Sequence, residues 1–268
     1  MTFAEGVRLM SAENYSDHIW PDGSCLNENV EWNHLDPQLY CRKNYVTLHQ
    51  DDLKFVAKIR DFMVEQLAGR DGLRGVDVGA GANLYPSLTM LPFCADLTLI
   101  DWSLSNIGWL DGEIEQYSPT WDPFWTVLAE DPAYASLGRP RRAFRERSRT
   151  HQGSVFELPA DRWDIGTMFF VAESISSEMA EFRSAVTRFI SALKPGAPFA
   201  VAFMENSEGW RVGDVVFPAV KVCEADIEAS LKGEAEIHEL FRLGAGIDRI
   251  RPGYTGMILA CGKRKLST

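Results

Sequence analysis

Residues 76–87 read "VDVGAGANLYPS". An apolar run, Val76-Asp77-Val78, breaks into Gly79-Ala80-Gly81-Ala82-Asn83. A strand that enters a tight glycine turn and then a helix has this form, and such turns hold nucleotides at strand ends. The two glycines let the backbone approach a ligand closely. The next acid in a suitable place is Asp101, 22 positions after Gly79, at the end of the apolar stretch "ADLTLIDWS" (95–103). A carboxylate there accepts both hydroxyls of a ribose. The third glycine of a dinucleotide turn is missing, since position 84 is Leu84, and no G-x-x-x-x-G-K-[ST] cradle occurs. The pattern therefore suits an adenosine ligand without pyrophosphate. S-adenosylmethionine (SAM), a sulfonium cation with no phosphate, is the expected cofactor, with S-adenosylhomocysteine as its product.

Outward from this turn, strand and helix signals alternate. Residues 54–68 carry Phe55, Val56, Ile59, Met63 and Leu67 at helical spacing. Strands are expected over 74–78, 95–103, 164–171 and 198–204, and near the C-terminus over 235–243 and 255–263. Helices are expected over 177–193 and 224–231. Lys194-Pro195-Gly196 stops the first of these, because proline cannot continue a helix and glycine tolerates the reversal. A helical excursion is expected over 111–149. The alternation predicts an α/β chain with a doubly wound, mostly parallel sheet, whose ligands bind at the carboxyl ends of the strands. Residues 1–50, with Trp20, Trp32, Tyr40 and Tyr45, are too aromatic for a disordered tail and read as a segment packed on a main domain at 51–268.

Composition bounds the function. A net charge of −11 argues against nucleic acid as a partner, although Arg139 to Arg149 holds six arginines; that run reads as a solvated helix. No apolar run is long enough to cross a membrane, and no secretory signal is evident. Five scattered cysteines, without CxxC, read as reduced thiols in a cytoplasmic protein. Five dispersed histidines give no ligand cluster, so no metal is expected. A monomer acting on a small molecule is expected.

Four segments taken in order resemble the family of small-molecule N-methyltransferases that act on nicotinamide, phenylethanolamine and thioethers or indolethylamines. These are "LDPQLYCRKNY" (35–45), "DVGAGANLY" (77–85), "LIDWSLSN" (99–106) and "FFVAESIS" (169–176). The helix stop "LKPG" (193–196) before an apolar strand is a frequent punctuation in SAM-dependent methyltransferases. The resemblance covers roughly residues 35–263. It implies a Rossmann-like fold with a seven-stranded sheet and an N-terminal helical lid. It also implies roles. Tyr40 and Tyr45 would cover the cofactor, Gly79, Gly81 and Tyr85 would contact its methionine end, and Asp101 would hold the ribose with Asn106 beside it. Ser154-Val155 stands where the family has Asp-Val at the adenine. Trp102, next to Asp101, and Phe169 join the cofactor set; packing is the other reading of Trp102 and the reading of Trp109. Glu173 would position the acceptor and take its proton, and Glu205 would lie near the substrate. Trp20, Trp32 and Trp210 could line an apolar acceptor pocket.

The amine-specific members carry a second acid near the C-terminus. Here that segment is "DRIRPGYTG" (248–256), with Pro252-Gly253 in its place and Asp248 as a substitute. Losing that acid leaves room for a neutral ring nitrogen, a hydroxyl or a carboxylate as acceptor. Nitrogen methylation is the leading reading and O-methylation the alternative. A non-catalytic SAM-binding protein is a third reading. A nicotinamide-dependent dehydrogenase would show the third glycine and a catalytic His or Tyr-Lys pair, which this chain lacks.

Overall fold

The glycine turn leaves strand β1 (Leu73–Val78), whose residues are all buried except Arg74. Both faces of this strand are covered, which is why it reads as a continuous apolar run rather than an alternating one. The computed structural model describes residues 24–47, 49–245 and 251–266; Trp20 and Asp248 fall outside them. Parallel to β1 lie β2 (Cys94–Asp101) on one side and β4 (Ile165–Phe169) on the other, with Val78 opposite Ile100 and Asp77 opposite Thr167. Beyond β2 runs β3 (Ser148–Gln152), and beyond β4 runs β5 (Pro198–Glu205). The last two strands, β8 (Ala235–Gly244) and β9 (Gly256–Arg264), complete the order β3-β2-β1-β4-β5-β9-β8, with β9 antiparallel to both neighbours. Among the described residues this is a seven-stranded, mostly parallel, doubly wound sheet, as expected. The chain reverses direction across the sheet between β1 and β4. Their carboxyl ends therefore flank the crevice where such sheets bind ligands.

Helices cover both faces. Helix α1 (Pro37–Asn44) starts where Asp36 caps the Leu39 amide at 2.9 Å and Pro37 supplies a preset φ. Helix α2 (Gln50–Leu67) buries Phe55, Val56, Ile59, Phe62, Met63 and Leu67 on one stripe, each worth roughly 1.5–3 kcal/mol of apolar burial. Helix α3 (Tyr85–Met90) is wholly buried behind the glycine turn. Helix α4 (Leu104–Gln116) begins at Ser103, whose side chain accepts from the Asn106 amide. The excursion then holds three short helices, α5 (Asp122–Leu128), α6 (Pro132–Ala135) and α7 (Pro140–Arg147). Helix α8 (Met179–Ala192) buries Phe182, Val186, Phe189 and Ile190, and Gly196 takes φ +77° just beyond its stop. Helix α9 (Glu224–Leu231) spans the expected residues.

Three boundaries differ from expectation. Strand β3 was absorbed into the excursion because "SRTHQ" is an edge strand with only Ser148 buried and carries no apolar run. A small hairpin, β6 (Trp210–Val212) and β7 (Val215–Phe217), was not anticipated. Strand β4 ends two residues early because Phe170 turns to φ +59° and leaves the ladder. Among the described residues, no helix is long and apolar enough to cross a membrane.

The arginines of 139–149 are largely consumed within the molecule. Arg141 makes a forked pair with Asp122 and reaches the Tyr117 carbonyl. Arg142 pairs with Glu146, Arg145 with Glu115, and Arg147 donates to the Leu91 and Cys94 carbonyls. This is a surface network rather than an array of free cations.

Candidate active site

The glycine turn is held by Asp101. Gly79 and Gly81 take φ +65° and +52°, a region that favours glycine. The Gly81 amide donates to Asp101 Oδ2 at 2.8 Å, and the Ala80 amide donates to the Ile100 carbonyl at 3.0 Å. On the other side, Asp101 Oδ1 accepts from the Ser103 amide at 2.9 Å and from Asn106 Nδ2 at 3.1 Å. Burial raises the Asp101 carboxyl above its usual range, and these hydrogen bonds pull it back. A Cβ on Gly81 would sit 3.6 Å from the Gly79 carbonyl and 3.9 Å from Asp101 Oδ2, filling the cradle. Asn106 Oδ1 is buried there with no partner among the described residues. An unpaired buried acceptor beside a carboxylate suits a ligand hydroxyl. The acceptor set thus fits the ribose hydroxyls of SAM, and it needs no third glycine for a pyrophosphate.

The turn opens into a cleft. Tyr40, Tyr45, Gly79, Gly81, Asp101, Trp102, Asn106, Ser154, Val155 and Phe169 all line it. Trp102 is 52% exposed at the rim, which corrects the packing reading, whereas Trp109 packs edge-on against Trp121. Asp101 is the only carboxylate among the described lining residues.

Part of the same cleft is lined by aromatic side chains. Trp32 stacks on Phe217 at 5.4 Å, and Phe217 on Trp210 at 4.4 Å. Trp32 and Trp210 line the cleft with Asn27, Ser174 and Ile175. Asn27 Oδ1 accepts from Trp32 Nε1 at 3.0 Å, and Trp210 Nε1 donates to the Ser174 carbonyl at 3.0 Å. Arg251, nearly buried, stands 5.2 Å from the Trp210 ring centre and donates to Ser174 Oγ at 2.7 Å. Asn27, Ser174 and Arg251 were not singled out from sequence. For Ser174 the available signal was adjacency to Glu173 at a strand end; for Asn27 and Arg251 there was none.

Three expected site residues lie elsewhere. Tyr85 is fully buried, stacked on Phe124 at 5.2 Å, with its hydroxyl 3.4 Å from Asp52. It supports Tyr45 from beneath, ring centres 6.0 Å apart, and does not line the cleft. Glu205 is clamped: Arg242 donates to both of its oxygens and Thr255 to one. Arg242 beside it holds the Glu205 carboxyl below the usual range. Its lone pairs are spent on β8 and on the segment before β9, so it is a structural anchor. Glu173 is fully buried and does not line the cleft. Its Oε1 accepts from the Met204 amide at 3.1 Å and from Ser174 Oγ at 3.0 Å, while Oε2 has no partner. The chain enters the β4 end with Glu173 turned inward and Ser174 turned to the cleft.

Known proteins share this framework. The NNMT/PNMT/TEMT family pattern matches residues 24–242. Phenylethanolamine N-methyltransferase of Sus scrofa is 22% identical over 88% of this chain and 91% of its own length. The Macaca mulatta enzyme of the same name is 23% identical over 81% and 86%. Among solved structures, magnesium protoporphyrin IX methyltransferase from Synechocystis with bound SAM superposes with TM-score 0.56, at 12% identity over 86% of this chain and 92% of that one. N-methyltransferase NodS from Bradyrhizobium japonicum, bound to S-adenosylhomocysteine, gives 0.53 at 12% identity over 85% and 99%. The two structures bear on the fold, and the family match bears on the chemistry. The chain belongs to the NNMT/PNMT/TEMT family and is a SAM-dependent methyltransferase.

Proposed function

We propose that this enzyme methylates a nitrogen of a neutral, flat small molecule. The observation that carries the reading is a single cleft lined both by the glycine turn with Asp101 and by Trp32 and Trp210. The named relatives are N-methyltransferases, which favours nitrogen. The absence of any lining carboxylate besides Asp101, among the described residues, favours a neutral acceptor over a cationic amine. The same feature favours a hydroxyl as the second reading.

Asp101 and Asn106 would hold the ribose, Ser154 and Val155 the adenine edge, and Tyr40 and Tyr45 the upper wall. SAM supplies an electrophilic methyl group on a good leaving sulfur. The protein therefore acts mainly by alignment, which can supply roughly 7–11 kcal/mol. A base adds about 10²–10⁴-fold. The cysteines are unpaired, which favours a reducing setting.

The test uses methyl-labelled SAM with aromatic amines, pyridine-type nitrogens, phenols and carboxylic acids, read by mass spectrometry. Label on nitrogen supports the proposal. Label on oxygen alone replaces it with the second reading.

A further inference from the structure

Resting on that proposed function, we infer that Ser174, not Glu173, is the side chain that touches the methyl acceptor, and that it accepts a hydrogen bond from an N–H of a neutral substrate. Glu173 acts through it.

The donor and acceptor count around Ser174 leads here. Arg251 Nη1 lies 2.7 Å from Ser174 Oγ, and a guanidinium can only donate. The hydroxyl oxygen must accept on that side. Its one hydrogen then points to Glu173 Oε1, 3.0 Å away, which the Met204 amide also holds. One lone pair of Ser174 Oγ is left. Ser174 lines the cleft, and Glu173 does not. That lone pair is the acceptor assigned here to the substrate.

The rotor is fixed by its surroundings. The Ser174 amide donates to the Val171 carbonyl at 2.8 Å, and its carbonyl accepts from Trp210 Nε1. Arg251 sits over the Trp210 ring. Charge narrows the substrate further. The guanidinium beside Ser174 balances the Glu173 carboxylate, so no net negative charge draws a cationic acceptor here. A ring nitrogen without hydrogen has nothing to donate to Ser174. The preferred class is an aromatic primary or secondary amine in its neutral form, flat enough for Trp32 and Trp210.

The step balances. The amine lone pair forms a bond to the SAM methyl carbon, and the carbon–sulfur bond breaks with its electrons going to sulfur. The nitrogen then holds one proton too many. That proton moves to Ser174 Oγ while the serine's own proton moves to Glu173 Oε1. A sulfonium and a carboxylate become a thioether and a carboxylic acid, so both charges disappear. Burial already disfavours the ionised form of Glu173, whose Oε2 lacks a partner, and the Arg251 charge opposes that shift.

The test compares Ser174→Ala, Glu173→Gln and the double variant with the parent, using an aromatic primary amine and a pyridine-type base. SAM affinity by calorimetry within about twofold of the parent certifies each fold. Should Glu173→Gln fail that check, Ser174→Ala decides alone. With the amine, each single variant should lose about 10²-fold in kcat, in the range of a lost base. The double variant should lose no more than either, because the two act as one unit. The rising limb of the parent's pH–kcat profile should vanish in both. Turnover of the pyridine-type base should change less than about threefold on the same scale. The relay is overturned if Ser174→Ala matches the parent, if the losses multiply, or if Ser174→Ala keeps the pH limb. If the parent binds SAM but methylates neither acceptor, the neutral-nitrogen reading fails first and the relay falls with it.

Discussion

Asp101 does two jobs with one carboxylate. It fixes the Gly81 amide on one oxygen and Ser103 and Asn106 on the other, and it still faces the cleft. Charged hydrogen bonds are worth about 1.5–3 kcal/mol each. Asp101→Ala should therefore weaken SAM binding by at least roughly 10²-fold in calorimetry, and retained affinity would remove Asp101 from the cofactor site. Gly81→Ala tests the cradle. Its φ of +52° costs an alanine about 1–2 kcal/mol, and the new methyl occupies ligand space. The expected result is a small drop in melting temperature with a much larger loss of SAM affinity. Equal losses would mean that the turn is structural only. Gly79 is different. A Cβ there would lie 2.4 Å from Val171 Cγ2, so Gly79→Ala should damage folding itself, seen as a lower melting temperature without ligand.

At the scale of elements, the first part of the N-terminal segment, with Trp32 and Leu35, is held by a small cluster of its own, whereas Cys41 and Tyr45 join the main core. Trp32, Leu35, Trp210, Val212 and Phe217 form a core apart from the two that flank the sheet. Its ties to α8 and to the residues just before that helix are polar: the Asn27 amide donates to Glu181, and the Cys25 amide to Ser177. Removing a buried tryptophan costs about 3–5 kcal/mol. In Trp32→Ala that loss should fall on the segment rather than on the sheet. Limited proteolysis should cut within 24–47 while the main thermal transition stays within a few degrees, and acceptor affinity should fall. A uniform loss of the whole fold would show that this segment is integral to the domain. The strand ends carry the same lesson. Phe170 at φ +59° is an uncommon conformation for a bulky residue, and it forms part of the cleft wall where β4 stops.

For the whole molecule, pH reports on buried carboxyls. Burial pushes Asp52 and Asp77 up to about 7, against the hydrogen bonds from Tyr85 to the first and from Ser87 and Thr167 to the second. Asp101 and Glu173 are shifted in the same direction by burial. Between about pH 4 and 7 the fold holds protons that the unfolded chain has released, so stability falls as pH rises through that window. A rise of about three units is on the order of 4 kcal/mol per group. Glu205 and Asp164 act oppositely. Arg242 lowers Glu205, and in Asp164 the bonds from Lys194 and Arg74 outweigh burial. Their stabilisation is present above the unfolded values and is lost below about pH 4. The melting temperature should peak near pH 4–5 and fall by roughly 10 °C toward pH 8. Asp77→Asn should flatten the falling limb. A flat profile in the parent would refute the assignment.

Much of this was legible in residue order. The turn at 76–87, the acid 22 positions on, and the alternation of elements are local patterns set by backbone sterics and side-chain period, so the doubly wound sheet and most of the cofactor lining could be read directly. Polar edge strand β3 and the β6–β7 hairpin carried no such signal, because their pairing depends on neighbours far along the chain. Which way a side chain faces at a strand end was equally hidden. Glu173 and Ser174 differ by one position, and that position separates a carboxylate sealed away from the cleft from a residue that lines it. The partners that make this difference, Arg251 and Trp210, come from residues 77 and 36 positions away. Sequence by itself determined the fold class and singled out Asp101 at its strand end, because those are local patterns. Only the tertiary structure decided which side chains line the cleft and which are sealed behind it, because burial and hydrogen-bond partners are properties of the packed chain.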